Sequence, residues 1–267
     1  MSNVDESPFI ETGEYRRFAE FCDACRHYSY IGLCYGPPGV GKTLSARQYA
    51  NWDKVQSFNR LLSPNGRAAL QEVLGSNVVL YTAPVVNTPK KVEEDIAACR
   101  KTLRGFLIDK YYRQKDRRFS EILRREKAEE KALHEQYIYK GRPHQAVVER
   151  TQQALKLLGE NHSRKERAAK DPTSLIIVDE ADRLKMASLE QVRAIFDRGG
   201  IGVILIGMPG LEKRRARYPQ LYSRIGFVHA FRPLSQSDIR QLLQDRWCPP
   251  EVSPCLLMHW MMKKGLQ

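Results

Sequence analysis

Residues 36–43 carry the pattern that most restricts the fold of this chain. They read Gly-Pro-Pro-Gly-Val-Gly-Lys-Thr, which fits the phosphate-binding loop pattern G-x-x-x-x-G-K-[ST]. The apolar stretch Tyr30–Tyr35 before the loop has the length and composition of a buried parallel strand. After the loop, apolar residues recur at helical spacing from Thr43 to Ala50. A glycine-rich turn between a strand and a helix predicts an α/β protein that binds a nucleoside triphosphate.

The residue types in the loop match the chemistry of phosphate binding. Gly36, Gly39 and Gly41 are expected to tolerate positive φ and to let the backbone approach a ligand closely. Amide groups of the turn and of the following helix can then point at the β- and γ-phosphates. Lys42 supplies a positive charge for those phosphates, and Thr43 offers a hydroxyl to Mg²⁺. With ATP and Mg²⁺ as the expected cofactors, the predicted nucleotide-binding residues are Gly36, Pro37, Pro38, Gly39, Val40, Gly41, Lys42, Thr43 and Leu44.

A second apolar run leads directly into a pair of carboxylates. Leu175–Val178 reads as a buried strand, and Asp179 and Glu180 follow it. At the carboxyl end of a strand Asp179 can hold Mg²⁺, directly or through water, together with Thr43. The neighbouring Glu180 is what a hydrolytic enzyme needs to orient and deprotonate the attacking water. The pair therefore favours ATP hydrolysis over phosphoryl transfer to another acceptor.

Length and composition fit one catalytic domain with additions. The chain has 267 residues, of which 42% are hydrophobic, a normal value for a globular protein. Its start is polar and acidic, and no apolar run approaches the roughly 20 residues that span a bilayer. We therefore expect no signal peptide, no membrane segment and a cytoplasmic location, with the six cysteines as reduced thiols.

Two of the cysteines form a C-x-x-C pair, Cys22 and Cys25, which has two interpretations. It can be half of a zinc or redox site, with Cys248, Cys255 and His259 as an irregularly spaced second half. Alternatively, both thiols share one face of a helix over Glu14–His27 with two phenylalanines and serve as small core hydrophobes. The regular helical spacing favours the core role.

The positive charge is concentrated in the middle of the chain. The net charge is +13, and residues 90–170 hold 22 Lys and Arg against 13 Asp and Glu, a surplus of nine. Such a stretch binds polyanions through counterion release at phosphates, although residues 121–135 mix favourable and unfavourable helical pairs and favour a solvated face. The predicted DNA-binding residues precede that segment: Lys90, Lys91, Arg100, Lys101, Arg104, Arg113, Arg117 and Arg118.

The order of apolar segments predicts the overall architecture. Strands at Tyr30–Tyr35, Asn77–Tyr81, Leu175–Val178, Ile201–Ile206 and Phe227–Phe231 alternate with helices, which implies a parallel five-stranded sheet covered on both faces. The predicted organisation is an α/β nucleotide-binding domain over residues 1–233, with a charged helical insertion at about 86–172. A short helical lid over 234–267 would follow, with Ser235 capping its first helix.

An arginine just before the last predicted strand is a candidate for catalysis between subunits. Ser223-Arg224 would put Arg224 at the edge of the domain, able to reach a γ-phosphate bound by a neighbouring subunit. An arginine there stabilises charge on the transferred phosphoryl group. The alternatives are an ordinary surface arginine, or one of the nearby basic residues Lys213, Arg214, Arg215 and Arg217 in the same role.

Taken together, these elements resemble the AAA+ ATPases over residues of about 10–247. The string from Ile176 to Lys185, which reads Ile-Ile-Val-Asp-Glu-Ala-Asp-Arg-Leu-Lys, and the later Ile204–Gly207 are similar to the transposition ATPases called TnsC, TniB and MuB. The resemblance implies an ATPase that assembles as a ring or helical filament on double-stranded DNA and recruits or regulates a transposase. Glu180 and Lys42 would act in one subunit and Arg224 in the next.

The sequence departs from the family pattern at Met208, where the family usually has a polar residue that senses the γ-phosphate; this departure implies slow or differently coupled hydrolysis. The insertion is longer than usual and the lid shorter. Two other functions stay open: a helicase-loader-like AAA+ ATPase that prefers single strands, and a signalling or scaffold NTPase whose basic stretch is only a solvated face. A metabolic kinase fits least, because Glu180 and Arg224 would have no part in it.

Overall fold

The computed structural model describes residues 9–58, 66–137, 145–210 and 219–240, of which 66–69, 130 and 133–137 are described by their backbone only. The helices are α1 (Gly13–Tyr28), α2 (Lys42–Tyr49), α3 (Trp52–Ser57), α4 (Gly66–Val73), α5 (Pro89–Tyr137), α6 (Gln145–Ala168), α7 (Met186–Asp197) and α8 (Pro219–Tyr222). The strands are β1 (Ile31–Tyr35), β2 (Val78–Thr82), β3 (Leu175–Asp179), β4 (Gly202–Gly207) and β5 (Ile225–Ala230). A 3-10 turn covers Ala181–Arg183, and a further helical segment covers 236–240.

The five strands form one parallel sheet in the order β2-β3-β4-β1-β5. The apolar runs are buried because helices cover both faces; every residue of β3 and β4 is buried. The edge strand β5 instead alternates half-buried and exposed positions. The predicted α/β architecture is confirmed, and the strand limits differ from the sequence prediction by one or two residues.

Parallel pairing places the ends of β1, β3 and β4 at the same edge of the sheet. β4 lies between β1 and β3, with Leu33 beside Leu205 and Ile177 beside Ile204. The phosphate loop therefore opens beside the carboxyl ends of β3 and β4, the location at which open α/β sheets bind ligands.

Helix α1 is fixed by caps at both ends and by a buried face. The side chain of Thr12 accepts a hydrogen bond from the Tyr15 amide, and Ser29 ends the helix in the left-handed conformation. Phe18, Cys22 and Cys25 are fully buried, and burial raises the pKa of the Cys25 thiol to about 12. The core role predicted for these thiols is confirmed; Cys248, Cys255 and His259 lie outside the described residues.

The described residues divide into two compact units, and the first comprises residues 9–53, 78–96, 174–210 and 219–240. It contains the sheet and the phosphate loop. The second comprises residues 54–58, 66–77, 97–137 and 145–173, with α4, most of α5 and α6.

Within the second unit, α5 and α6 run antiparallel. Arg100 pairs with Asp171 at one end (2.6 Å), and Glu129 pairs with Arg150 further along (2.6 Å). At 49 residues, α5 is about 70 Å long. The long charged helical insertion expected from the sequence is present as α5 and α6. In the portion of the chain that the structure describes, no helix is both long and apolar enough to cross a membrane.

Candidate functional site

The phosphate loop connects β1 to α2 and depends on glycine for two different reasons. Gly39 (φ 77°) and Gly41 (φ 95°) lie in the left-handed region, and a Cβ atom at either would meet nothing within 4 Å. Their requirement is therefore conformational. At Gly36 a Cβ atom would lie 2.4 Å from the carbonyl oxygen of Phe231, the residue after β5. Gly36, which was expected to tolerate positive φ, does not adopt it; there glycine permits close packing against the last strand.

Lys42 is the first residue of α2 and its side chain folds back over the loop. Its Nζ donates hydrogen bonds to the carbonyl oxygens of Gly36 and Pro37, each at 2.6 Å. These contacts hold the ammonium group within the curve of the loop, where the phosphate-binding pattern expects it. Two residues before the loop, burial raises the pKa of Cys34 to about 12, so that thiol stays protonated at neutral pH.

Thr43 and Asp179 are brought together although 136 residues separate them. The Thr43 hydroxyl donates a hydrogen bond to Asp179 Oδ2 at 2.8 Å. Asp179 is 3% exposed, and its Oδ1 accepts the amide of Glu180 at 2.9 Å. A hydroxyl and a carboxylate are the hard oxygen donors that Mg²⁺ prefers. The two side chains fit the magnesium site predicted from the sequence.

Glu180 has a backbone conformation that is uncommon for a residue with a side chain. Its φ of 54° and ψ of 38° lie in the left-handed region, which costs of order 1 kcal/mol or more and is concentrated at functional sites. The 3-10 turn that begins here brings Arg183 beside it, with Nη2 of Arg183 3.6 Å from Oε1 of Glu180. The conformation sets the carboxylate at the end of β3, next to Asp179.

Met208 follows β4 at the same edge of the sheet. Its backbone amide donates a hydrogen bond to Oδ1 of Asp182 at 3.2 Å. The polar contact of Met208 with the turn after β3 is therefore made by its main chain and not by its side chain. The sequence interpretation did not assign a role to Asp182 or to Arg183. Their spacing could have indicated a role, because Asp182 and Arg183 follow Glu180 by two and three residues. A tight turn places residues at that spacing near the end of the strand.

Arg224 lies at the opposite edge of the sheet from the phosphate loop. Its carbonyl oxygen accepts the amide of Ile31, the first residue of β1, whereas the loop follows the last. A strand of five residues separates the two by about 15 Å. The guanidinium group pairs with Asp197 (2.5 Å) and donates to the Gln220 carbonyl oxygen (2.7 Å). Within one chain Arg224 is therefore not among the residues at the phosphate loop; residues 211–218, with the competing basic side chains, lie outside the described part.

The eight predicted DNA-binding residues all lie on α5 but differ in their pairing. Lys90 and Lys91 pair with Glu94 and Asp95 one turn later, at 3.9 and 2.8 Å. Arg100 pairs with Asp171. The remaining five make no ion pair within the described residues and are half-buried or exposed: Lys101, Arg104, Arg113, Arg117 and Arg118.

The fold and the site define a P-loop nucleotide-binding protein of the α/β class. Residues 25–214 match the model of the family described as an AAA domain, and the chain belongs to that family. It is 38% identical over 245 residues to a Staphylococcus aureus protein described as a potential ATP-binding protein; the match covers 90% of this chain and 73% of the relative. The chain is thus a P-loop protein of the AAA-domain family.

Two solved structures from Aeropyrum pernix are also similar. One is the ORC1 protein in complex with DNA, with 15% identity and a TM-score of 0.47 over 98% of this chain and 58% of that one. The other is the ORC2 protein with ADPNP and ADP, with 17% identity and a TM-score of 0.44 over 95% and 57%. The chain therefore spans less than two thirds of the length of either protein.

Proposed function

We propose that this protein hydrolyses ATP, assembles as a homo-oligomer on double-stranded DNA and recruits or regulates a transposase during target selection in DNA transposition. The observation that carries the ATPase proposal is the contact of Thr43 with Asp179, which brings the phosphate loop and the end of β3 together with Glu180 beside them. The transposition role rests on the resemblance to TnsC, TniB and MuB.

In the proposed reaction each residue has a separate task. Lys42 binds the β- and γ-phosphates, as the loop pattern requires. Thr43 and Asp179 would hold Mg²⁺, which when bound neutralises charge on the phosphate oxygens. Glu180 orients a water molecule and takes its proton as general base. Because Met208 offers no polar side chain at the sensor position, we expect the intrinsic turnover to be slow.

Arg224 is proposed to act on the nucleotide of the next subunit. Its distance from its own phosphate loop leaves it no role in the same chain, and an arginine supplied from a neighbour is an established way to stabilise the transferred phosphoryl group. ATP would then lie between copies, which links hydrolysis to assembly. Residues 1–233 would form the nucleotide-binding domain with its insertion, and residues 234–267 a short lid.

Double-stranded DNA is the proposed polyanion because of the distribution of charge on α5. Five basic residues that form no ion pair with any described residue, and the exposed pairs of Lys90 and Lys91, leave cations available for phosphates. Lys90 and Lys91 can exchange their carboxylate partners for DNA phosphates, because an exposed ion pair contributes little to stability. A surface of this kind binds phosphates without base recognition.

The first experiment is to measure ATPase rate and assembly with duplex DNA, single-stranded DNA and no DNA, using Lys42→Ala as the control without phosphate binding. Rings or filaments that form only with ATP and duplex support the proposal. A preference for single strands favours the helicase-loader-like function. If the protein binds ATP but neither DNA changes its ATPase rate or assembly, the basic surface is only solvated. That result favours a signalling or scaffold role.

A further inference from the structure

One face of α5 changes from apolar to basic along the helix. At residue 106 this face is covered, because Phe106 is buried and its ring packs edge-on against Phe58 with centroids 5.1 Å apart. Side chains three or four residues apart align on a helix, so the same face continues through Lys110, Arg113 and Arg117. The face that packs inside the second unit at residue 106 is therefore a row of cations from residue 110 onwards.

The row forms a basic stripe of four residues: Lys110, Arg113, Arg117 and Arg124. Arg113 is half-buried and the other three side chains are exposed. None of the four forms an ion pair with a described residue, and the neighbouring carboxylate of Glu121 pairs with Arg125 instead (2.5 Å). The cations of the stripe are thus available to a ligand.

Helix α6 packs on the other side of α5. The ring of Tyr112 lies 4.4 Å from that of His162, centroid to centroid, and Nζ of Lys165 is 5.9 Å from the ring centroid of Tyr111. On a helix with about 3.6 residues per turn, the basic stripe lies roughly opposite the side that faces α6. The partner helix therefore leaves the stripe uncovered.

The aromatic residues of this part of α5 are not part of the stripe. Proteins that bind single-stranded nucleic acid stack the bases on aromatic rings. Here Tyr111 and Tyr112 already contact α6, and Phe119, two helical turns after Tyr112, falls on the same side. The stripe offers charges alone, which suits the phosphates of a duplex, whose bases are stacked in its interior.

We infer that the basic stripe is a site for the sugar-phosphate backbone of duplex DNA that works without bound nucleotide. The inference deepens the DNA part of the proposed function and rests on it. The stripe belongs to the second compact unit and the phosphate loop to the first. Because α5 is one continuous helix, its backbone hydrogen bonds set the spacing of the cations whether or not ATP is bound.

The dimensions of the stripe fit such a ligand. From residue 110 to residue 124 it extends about 21 Å, a length over which duplex DNA presents about a dozen phosphates. Single chains would then hold DNA before ATP drives their assembly on it.

The test measures binding of fluorescein-labelled duplex DNA by fluorescence anisotropy over a series of salt concentrations, without nucleotide. Wild type is compared with the triple variant Lys110→Gln/Arg113→Gln/Arg117→Gln, in which glutamine preserves helix propensity. Loss of three phosphate contacts should lower the slope of log affinity against log salt by about 2.7 and weaken binding about 100-fold at physiological salt. The separated single strand should bind wild type more weakly than the duplex does.

The matched control removes the same charge from α6 in the triple variant Lys156→Gln/Arg164→Gln/Arg167→Gln. These three side chains are exposed and form no ion pair with a described residue. Both triple variants lose the same long-range attraction for DNA, whereas only the stripe variant loses direct contacts. The control slope should therefore stay within about one contact, 0.9, of the wild-type slope. Thermal melting shows whether each variant is folded.

An unchanged slope in the stripe variant overturns the inference, as does an equal loss in the α6 control, which would mean a diffuse positive field. Tighter binding of the single strand overturns the assignment to duplex. If wild type binds duplex only when ATP is present, the inference fails and the proposed function stands. If the stripe binds duplex while DNA changes neither hydrolysis nor assembly, the proposed function fails and the inference stands.

Discussion

The carboxylate of Asp238 accepts a hydrogen bond at 2.9 Å from the amide of Gly13, which lies 225 residues earlier in the chain. Asp238 also forms a reciprocal cap with Ser235, accepting its amide (3.1 Å) while Ser235 Oγ accepts the Asp238 amide (3.1 Å). Nearby, Oε1 of Glu14 accepts the amide of Arg232 at 3.0 Å. The segment after β5 is therefore fastened to the first turn of α1, and one carboxylate serves the starts of two helices.

Replacing Asp238 by alanine should destabilise this junction. Loss of a helix cap costs about 1 kcal/mol, which for a chain of this size lowers the melting temperature by about 2–4 °C. Thermal denaturation of Asp238→Ala measures the effect, and Gln236→Ala at a neighbouring exposed position is the control. Equal melting temperatures for Asp238→Ala and wild type would show that the cap does not contribute.

The same carboxylate predicts a pH dependence. Hydrogen bonds from Ser235 and from the Gly13 amide lower the pKa of Asp238 below its ordinary value. A lowered pKa in the folded state stabilises the protein above the unfolded-state pKa of about 3.9, and this contribution is lost as pH falls through the folded-state value. Melting curves of wild type and Asp238→Asn should therefore converge in acid and separate above about pH 4; a constant difference would contradict the linkage.

Glu180→Gln should bind ATP normally, hydrolyse it slowly and trap a long-lived assembly. Removing a general base lowers the rate by about 10²–10⁴-fold, while Lys42, Thr43 and Asp179 still hold the nucleotide. Single-turnover hydrolysis and nucleotide affinity are the measurements. Glu190→Gln, which alters a carboxylate paired with Arg193 on α7, is the matched control. Rapid turnover by Glu180→Gln would exclude Glu180 as the base.

The Arg224→Ala monomer should bind nucleotide with unchanged affinity. Its rate of ATP hydrolysis should fall by about 10³-fold or more, as expected for an arginine supplied from a neighbour. Mixing Arg224→Ala with Lys42→Ala should restore part of the activity, because the intact Arg224 of one variant meets the intact phosphate loop of the other. Asp197→Asn breaks the same ion pair and retains the arginine, so it should remain active. Unchanged turnover in Arg224→Ala would assign the role to another residue.

DNA binding should depend on the basic residues of α5 that form no ion pair within the described part of the chain. Each phosphate contact contributes about 0.9 to the slope of log affinity against log salt. We expect the slope to fall by about that amount in Arg117→Ala and in Arg118→Ala. Lys91→Ala, which also frees Asp95, should change it less. Filter binding or fluorescence anisotropy at several salt concentrations measures the slopes, and a slope unaffected by Arg117→Ala and Arg118→Ala would place the DNA elsewhere.

Local features of this protein were decided by the sequence alone. The glycines at 39 and 41 and the lysine at 42 specify a phosphate loop because backbone conformation and charge there depend on adjacent residues. The apolar runs of β1 and β3 specify buried strands for the same reason. These short-range rules were enough to predict the α/β fold, the Asp179–Glu180 pair and the core role of Cys22 and Cys25.

Contacts between distant residues were decided only by the tertiary structure. The ion pair of Arg100 with Asp171 joins residues 71 positions apart, and the requirement for glycine at 36 comes from the Phe231 carbonyl. Arg224 likewise lies beside the start of β1 only because β5, the strand that follows Arg224 in the chain, is the neighbour of β1 in the sheet. Such contacts depend on which elements pack side by side, and the energies that select that packing come from the whole core rather than from the pattern around any one residue.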